Sequence, residues 1–130
     1  MPSPIVDRLR ARFADDPGGI IAAYVFGSAG RGEAGPDSDV DVAILLGHRP
    51  ASTLAAQPYP LADELRGLLA RRVDLIVLDS APPDLVHRVL RDGILVLDRD
   101  RAARLRFEVA ARNAYFDLRP ILERYRRSVA

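Results

Sequence analysis

Two aspartates one residue apart, Asp39 and Asp41, follow a Gly-Ser pair, Gly27-Ser28, with ten residues between pair and pair. Val40, Val42 and Ile44 interleave with Asp39, Asp41 and Ala43, the period-two pattern of a strand with one apolar face. Side chains at i and i+2 leave a strand on the same side, their Cα atoms roughly 6–7 Å apart. The two carboxylates therefore project together while the valines enter a core. Carboxylates about 5 Å apart repel by roughly 3 kcal/mol at an effective dielectric of ~20. A shared proton relieves that repulsion, and so does a hard divalent cation such as Mg²⁺ or Mn²⁺. A lone Asp-x-Asp is as well explained by two solvated side chains on an edge strand. The Gly-Ser turn upstream tips the balance toward a cation that carries a polyphosphate.

Gly27 lets the backbone turn and come close to a ligand. Ser28 offers a hydroxyl and a backbone N–H. If it opens a short helix through Gly32, the helix N-terminus attracts anions. Arg31 is within reach of a phosphate there, although one arginine among nineteen basic residues suits the surface equally well. Asp37 falls outside the i, i+2 pair and is a poor ligand, and Ser38 fixes the loop.

These groups need a frame. Ile5, Leu9 and Phe13 repeat at helical spacing, and Asp16-Pro17-Gly18-Gly19 ends that helix. Ile20 to Phe26 is nearly all apolar and reads as a central strand. The Asp-x-Asp strand runs from about Asp39 to Leu46. Residues 47–60 form a Pro/Ala/Ser-rich connector expected to be mobile, and His48 within it has no assigned role. Leu61, Leu65, Leu68 and Leu69 stripe a helix that ends at Arg71-Arg72. Val73 to Leu78 is a third strand whose one polar residue is Asp74, costly to bury without purpose. Asp79 lies just past it. Pro83 suits the first turn of a helix with Leu85, Val86, Val89 and Leu90 on its buried side. His87 in that helix packs or faces solvent. Ile94 to Leu97 is a fourth strand. Asp100 to about Arg127 is a long helix with a kink expected at Pro120. Leu105, Val109, Phe116, Leu118, Ile121, Leu122 and Tyr125 supply its apolar side, and Arg101, Arg104, Arg106, Arg112, Arg119, Arg124, Arg126 and Arg127 a basic stripe. That stripe is either a solvated face or a docking surface for a protein, because so short a chain has little core to cover so long a helix. The expected fold is a single α/β domain spanning 1–130, a small mixed sheet with helices against it.

Composition narrows the chemistry. At 130 residues and 48% hydrophobic, the chain builds one core. A net charge of +1 gives no overall pull toward nucleic acid or membrane, so neither partner is expected. No run of about 18 apolar residues is present, the N-terminus lacks the apolar core of a signal peptide, and a cytoplasmic location is expected. Without cysteine there is no disulfide or thiolate chemistry. Every basic residue is arginine. A P-loop lysine and a Schiff-base lysine are both excluded, leaving arginine for phosphate. No GxGxxG is present, which excludes a Rossmann dinucleotide site.

Gly27-Ser28, ten residues and Asp39-Val40-Asp41 resemble the GS-x10-D-x-D signature of the nucleotidyltransferase superfamily of the DNA polymerase β type. The fuller string GSAGRGEAGPDSDVDVAIL is similar to the minimal nucleotidyltransferases, and within them to the MntA-type antitoxins of HEPN/MNT (type VII) toxin–antitoxin pairs. The segment SAPPDLVHRVLRDGILVLDRD extends the likeness past the central motif. The resemblance implies a site in which Asp39 and Asp41 hold Mg²⁺ or Mn²⁺ and Gly27 and Ser28 cradle the phosphates of ATP. It matches Asp74 to a third carboxylate, ligand or general base, from an adjacent strand. It also implies a HEPN toxin as partner, with a tyrosine as AMP acceptor. Two other readings stand beside it: an antitoxin that neutralises by binding alone, and a small-molecule adenylyltransferase.

Overall fold

The computed structural model describes residues 4–16, 19–27, 38–47 and 59–129. Ser28, Arg31, Asp37, His48 and the connector between 48 and 58 lie outside the described residues. In chain order the elements are α1 (Pro4–Ala14), β1 (Ala22–Phe26), β2 (Val40–Leu45), α2 (Tyr59–Leu69), β3 (Val73–Val77), α3 (Pro83–Asp92), β4 (Ile94–Asp98) and α4 (Arg101–Val129). A short 3-10 turn, Leu78–Ser80, links β3 to α3.

The four strands form one mixed sheet in the order β3-β2-β1-β4. β1 pairs antiparallel with β2 and with β4, and β2 pairs parallel with β3. β1 is central, as its apolar run predicts. Alternation along each strand divides the core between the two faces of the sheet. Ala23, Val25, Val40, Val42, Ile44 and Val73 pack with Leu9 and Phe13 of α1 and Leu65 and Leu69 of α2. Tyr24, Ala43 and Leu45 pack with Val86 and Val89 of α3 and with Phe107 and Ala111 of α4. The result is three layers, helices on both faces of a sheet, a standard solution for burying two apolar faces at once.

Each helix shows its sequence cue. Pro83 opens α3 with no N–H to waste. α2 closes without a glycine: Ala70 takes φ 52°, and the Arg71 N–H donates to the Arg66 carbonyl, a Schellman-type closure. Leu68 is the exception in the α2 stripe and faces solvent.

α4 departs most from expectation. It is one long helix, as expected, and runs through Pro120 to Val129, short of one backbone donor there. Its apolar residues do not share one buried side. Phe107 and Ala111 meet the core, whereas Leu105, Val109, Phe116, Ile121 and Tyr125 are all more than 40% exposed. Nor is Arg104 part of a surface stripe. It turns inward, donating to Asp98 at 2.9 Å and to Glu108 at 2.9 Å. Buried Glu108 also accepts the Tyr24 hydroxyl at 2.8 Å, so one carboxylate ties α4 to the central strand.

Burial, followed by the Glu108 hydrogen bond, holds the Tyr24 phenol well above its ordinary value. The neutral phenol is thus favoured in the folded state. Its contribution is complete below the unfolded value of about 10 and is lost as pH climbs from there through the folded value. Thermal melts across alkaline pH should show a steeper loss of stability above about pH 10 in wild type than in Tyr24→Phe. At neutral pH that variant should be less stable by about 1.5–3 kcal/mol, the size of one hydrogen bond to a charged acceptor.

Candidate active site

The β2 register decides which side chains meet. Val40 and Val42 are fully buried toward α1 and α2, so Asp41 points to the α3–α4 face. Its parallel partner on β3 is Asp74, and its antiparallel partner on β1 is Phe26, the residue before Gly27. Parallel neighbours in register lie about 4.8 Å apart and present their side chains on the same face. Asp39, two residues before Asp41, falls on that face by the same alternation. Three carboxylates from two strands therefore gather at the edge of the sheet where β2 and β3 begin and β1 ends.

Their mutual influence is visible in Asp41. Partial burial first, then the charge of Asp74, then that of Asp39, raises its carboxyl above the ordinary range. Asp74 itself is exposed, so the expected burial cost does not arise; the face it occupies reaches solvent at this edge. Asp39 is also exposed, and Asp41 is partly covered. Among the described residues, no three His, Cys, Asp or Glu side chains are placed so that together they could hold a metal ion. The donor set, an open row of oxygen ligands under mutual repulsion, nevertheless suits a hard cation that shares its coordination with substrate oxygens.

Gly27 borders this row. Its φ is +67°, and a Cβ placed on it would collide with the Asp41 carboxylate. The absent side chain is what lets the β1 turn lie against the acid. Ser28 and Arg31, the other expected phosphate contacts, lie outside the described residues.

Sequence reasoning missed one positioning residue. Arg71, placed there for the α2 dipole, donates to the Ser38 carbonyl at 3.4 Å, and the Val40 N–H donates to the Arg72 carbonyl at 2.9 Å. The turn after α2 thus holds the backbone on which Asp39 sits. Only the tertiary pairing of β2 with β3 brings these segments together. Asp79 has a different job. Its carboxylate accepts the N–H groups of Leu46 and Gly47, each at 2.8 Å, clasping the far end of β2 away from the acidic row.

A mixed sheet that sets an acidic row beside a bare glycine turn offers oxygen ligands and a close backbone approach, the parts a cation-assisted phosphoryl or nucleotidyl transfer needs. The chain belongs to the polymerase beta nucleotidyltransferase family, which matches residues 9–102. It is 36% identical over 88 residues to the protein adenylyltransferase MntA of Thermococcus cleftensis, covering 68% of this chain and 81% of the relative. Its fold superposes on a chain in the crystal structure of a toxin–antitoxin with AMP-PNP, with a TM-score of 0.78 and 25% identity, covering 95% of this chain and 97% of the other. A chain from the complex of a tri-AMPylated Shewanella oneidensis HEPN toxin with its MNT antitoxin shares the fold, with a TM-score of 0.74 and 22% identity over 95% and 98% of the two chains.

Proposed function

We propose that this nucleotidyltransferase is a protein adenylyltransferase that moves AMP from ATP to a hydroxyl, a tyrosine by preference, of a HEPN-type toxin, and so acts as its antitoxin. The observation that carries the reading is the register that sets Asp41 beside Asp74, with Gly27 bare against the Asp41 carboxylate. The likeness to a named protein adenylyltransferase and to a toxin–antitoxin carrying an ATP analogue supports ATP as donor and a protein as acceptor.

In this reading Asp39 and Asp41 hold Mg²⁺, or Mn²⁺, with Asp74 as a further ligand or as the base. The ion, when bound, neutralises charge on the triphosphate and on the leaving pyrophosphate. Gly27, Ser28 and Arg31 seat the phosphate tail. The acceptor oxygen attacks the α-phosphorus in line. An O–P bond forms, the bond from the α-phosphorus to the oxygen bridging to the β-phosphate breaks, and pyrophosphate departs. Where Asp74 serves as the base, the hydroxyl proton passes to its carboxylate and on to water; where it serves as a ligand, the proton passes to water directly. Positioning and charge stabilisation account for the rate. Among the described residues no helix is long and apolar enough to cross a membrane, which fits the proposed action in the cytoplasm.

Incubation with Mg²⁺, a purified HEPN-type toxin and ATP labelled at either the α- or the γ-phosphate tests the proposal. Label from the α-position should appear on a tyrosine of the HEPN protein, with none from the γ-position. Toxin neutralised without any α-label would support binding alone. Label recovered only in small molecules would move the acceptor out of the protein class.

A further inference from the structure

α4 runs beside β1 in the same direction on the α3–α4 face. Arg104 pairs with Asp98, the register partner of Ala22, and Glu108 meets Tyr24 two strand residues further on. At about 1.5 Å per helical residue and 3.3 Å per strand residue, four helical residues match two strand residues. The helix thus reaches the level of Phe26 and Asp41 near Arg112, and that of Asp39 near Phe116. α3 packs along the middle of α4. His87 stacks on Tyr115 with ring centres 3.7 Å apart, and Leu90 and Arg91 meet Arg112 and Phe116 around a cavity of about 260 Å³. α3 ends two residues after Leu90, at Asp92. From about Leu118 onward, α4 has passed both the end of α3 and the acidic edge of the sheet, and roughly 15 Å of helix continues beyond them.

That projecting segment is amphipathic. Leu118, Ile121, Leu122 and Tyr125 fall at i, i+3, i+4 and i+7. They continue the line of Phe107 and Ala111, which upstream is buried against the sheet. Past the edge, among the described residues, the same line has no strand beneath it: Leu118 and Leu122 are half-buried, Ile121 is 55% exposed and Tyr125 67%. The flanks are basic. α4 carries eight arginines against three carboxylates, a surplus of five in a chain whose net charge is only +1. The family match stops at residue 102, two residues into α4, so nearly all of the helix lies outside it. The toxin–antitoxin chain that matches 95% of this protein, in contrast, retains it.

Resting on the adenylyltransferase reading above, we infer that the Leu118–Tyr125 stripe is the docking site for the acceptor protein. Its occupant is an apolar helix face of that protein bordered by carboxylates, laid against the overhang so that the acceptor hydroxyl reaches the acidic edge beside it. Helix-on-helix docking of this kind is read by anchors at i, i+3, i+4 and i+7.

Binding of the HEPN-type toxin used in the transfer assay is measured by titration calorimetry for full-length wild type, Ile121→Asp, Tyr125→Ser and Val109→Asp, with ATP binding and α-label transfer measured in parallel. Val109 is equally exposed but lies on the opposite side of α4 and serves as control. Ile121→Asp and Tyr125→Ser should weaken partner binding by about 100-fold and 10-fold, the loss of a central anchor and of a peripheral one, with ATP affinity unchanged. Val109→Asp should bind within threefold of wild type, and added salt should weaken wild-type binding. Wild-type affinity in both stripe variants overturns the inference while leaving the adenylyltransferase reading intact. So does a loss confined to Val109→Asp. A wild-type homodimer that Ile121→Asp dissociates assigns the stripe to a second copy and overturns it as well. Stripe-dependent binding without α-label transfer removes the adenylyltransferase reading and keeps the docking site. No binding at all by wild type overturns both.

Discussion

Asp41→Asn is expected to lower AMP transfer by at least about 10²–10³-fold, the loss typical of removing one preorganised electrostatic contact to a transferring phosphoryl group. The melting temperature of the metal-free protein should rise, not fall. In the folded chain the Asp41 carboxylate is disfavoured by burial and by the charges of Asp74 and Asp39. An amide of the same shape removes that penalty. It also takes away a ligand oxygen and the charge that a divalent cation needs. Adding Mn²⁺ and ATP should then reverse the order: wild type gains stability by ligand linkage and the variant gains little. Asp39→Asn should share the catalytic defect with a smaller stability gain, because Asp39 is exposed. The check is a pair of melts with and without Mn²⁺–ATP beside an α-label transfer assay. Undiminished transfer by Asp39→Asn/Asp41→Asn would remove these residues from the chemistry. An apo variant less stable than wild type would remove the repulsion argument.

The acidic row was legible in the sequence because a strand has a rigid period. Val40 and Val42 had to enter a core, and that alone aimed Asp39 and Asp41 outward together. Asp74 was legible as the one polar residue in an apolar run, but not its partner. That Asp74 pairs with Asp41, and not with a neighbour one residue away, is a fact of β2–β3 register, fixed by tertiary packing. The same holds for Arg71, whose contact with Ser38 spans 33 residues. Pattern reading failed most on α4. Helical periodicity collects apolar residues into a stripe, yet it cannot say where the partner surface ends. Phe107 and Ala111 find a sheet, and Ile121 and Tyr125, on the continuation of that stripe, do not. Arg104 was hidden for a related reason. An arginine in a basic helix reads as solvated until Asp98 and Glu108 are seen to close on it.

Gly27→Ala should be nearly as damaging to activity as loss of an aspartate, with a different signature. Two costs coincide at this position. The backbone holds φ +67°, a region in which an L side chain is disfavoured by roughly 1–2 kcal/mol. The added methyl also runs into the Asp41 carboxylate, so the acid must swing away or the turn must retreat. Either movement displaces a metal ligand or the phosphate seat, and a displacement of about 1 Å costs on the order of 10²-fold in rate. Gly19→Ala separates the two costs. Gly19 holds φ +95°, but nothing lies within 4 Å of the position its Cβ would take. It should therefore lose a comparable amount of stability and keep its activity. The measurement is transfer rate against melting temperature for both variants. If Gly27→Ala and Gly19→Ala lose activity in step with stability, backbone strain alone explains the glycine. If Gly27→Ala loses activity far out of proportion, and its Mn²⁺–ATP affinity falls with it, the bare backbone exists to leave room for the Asp41 carboxylate.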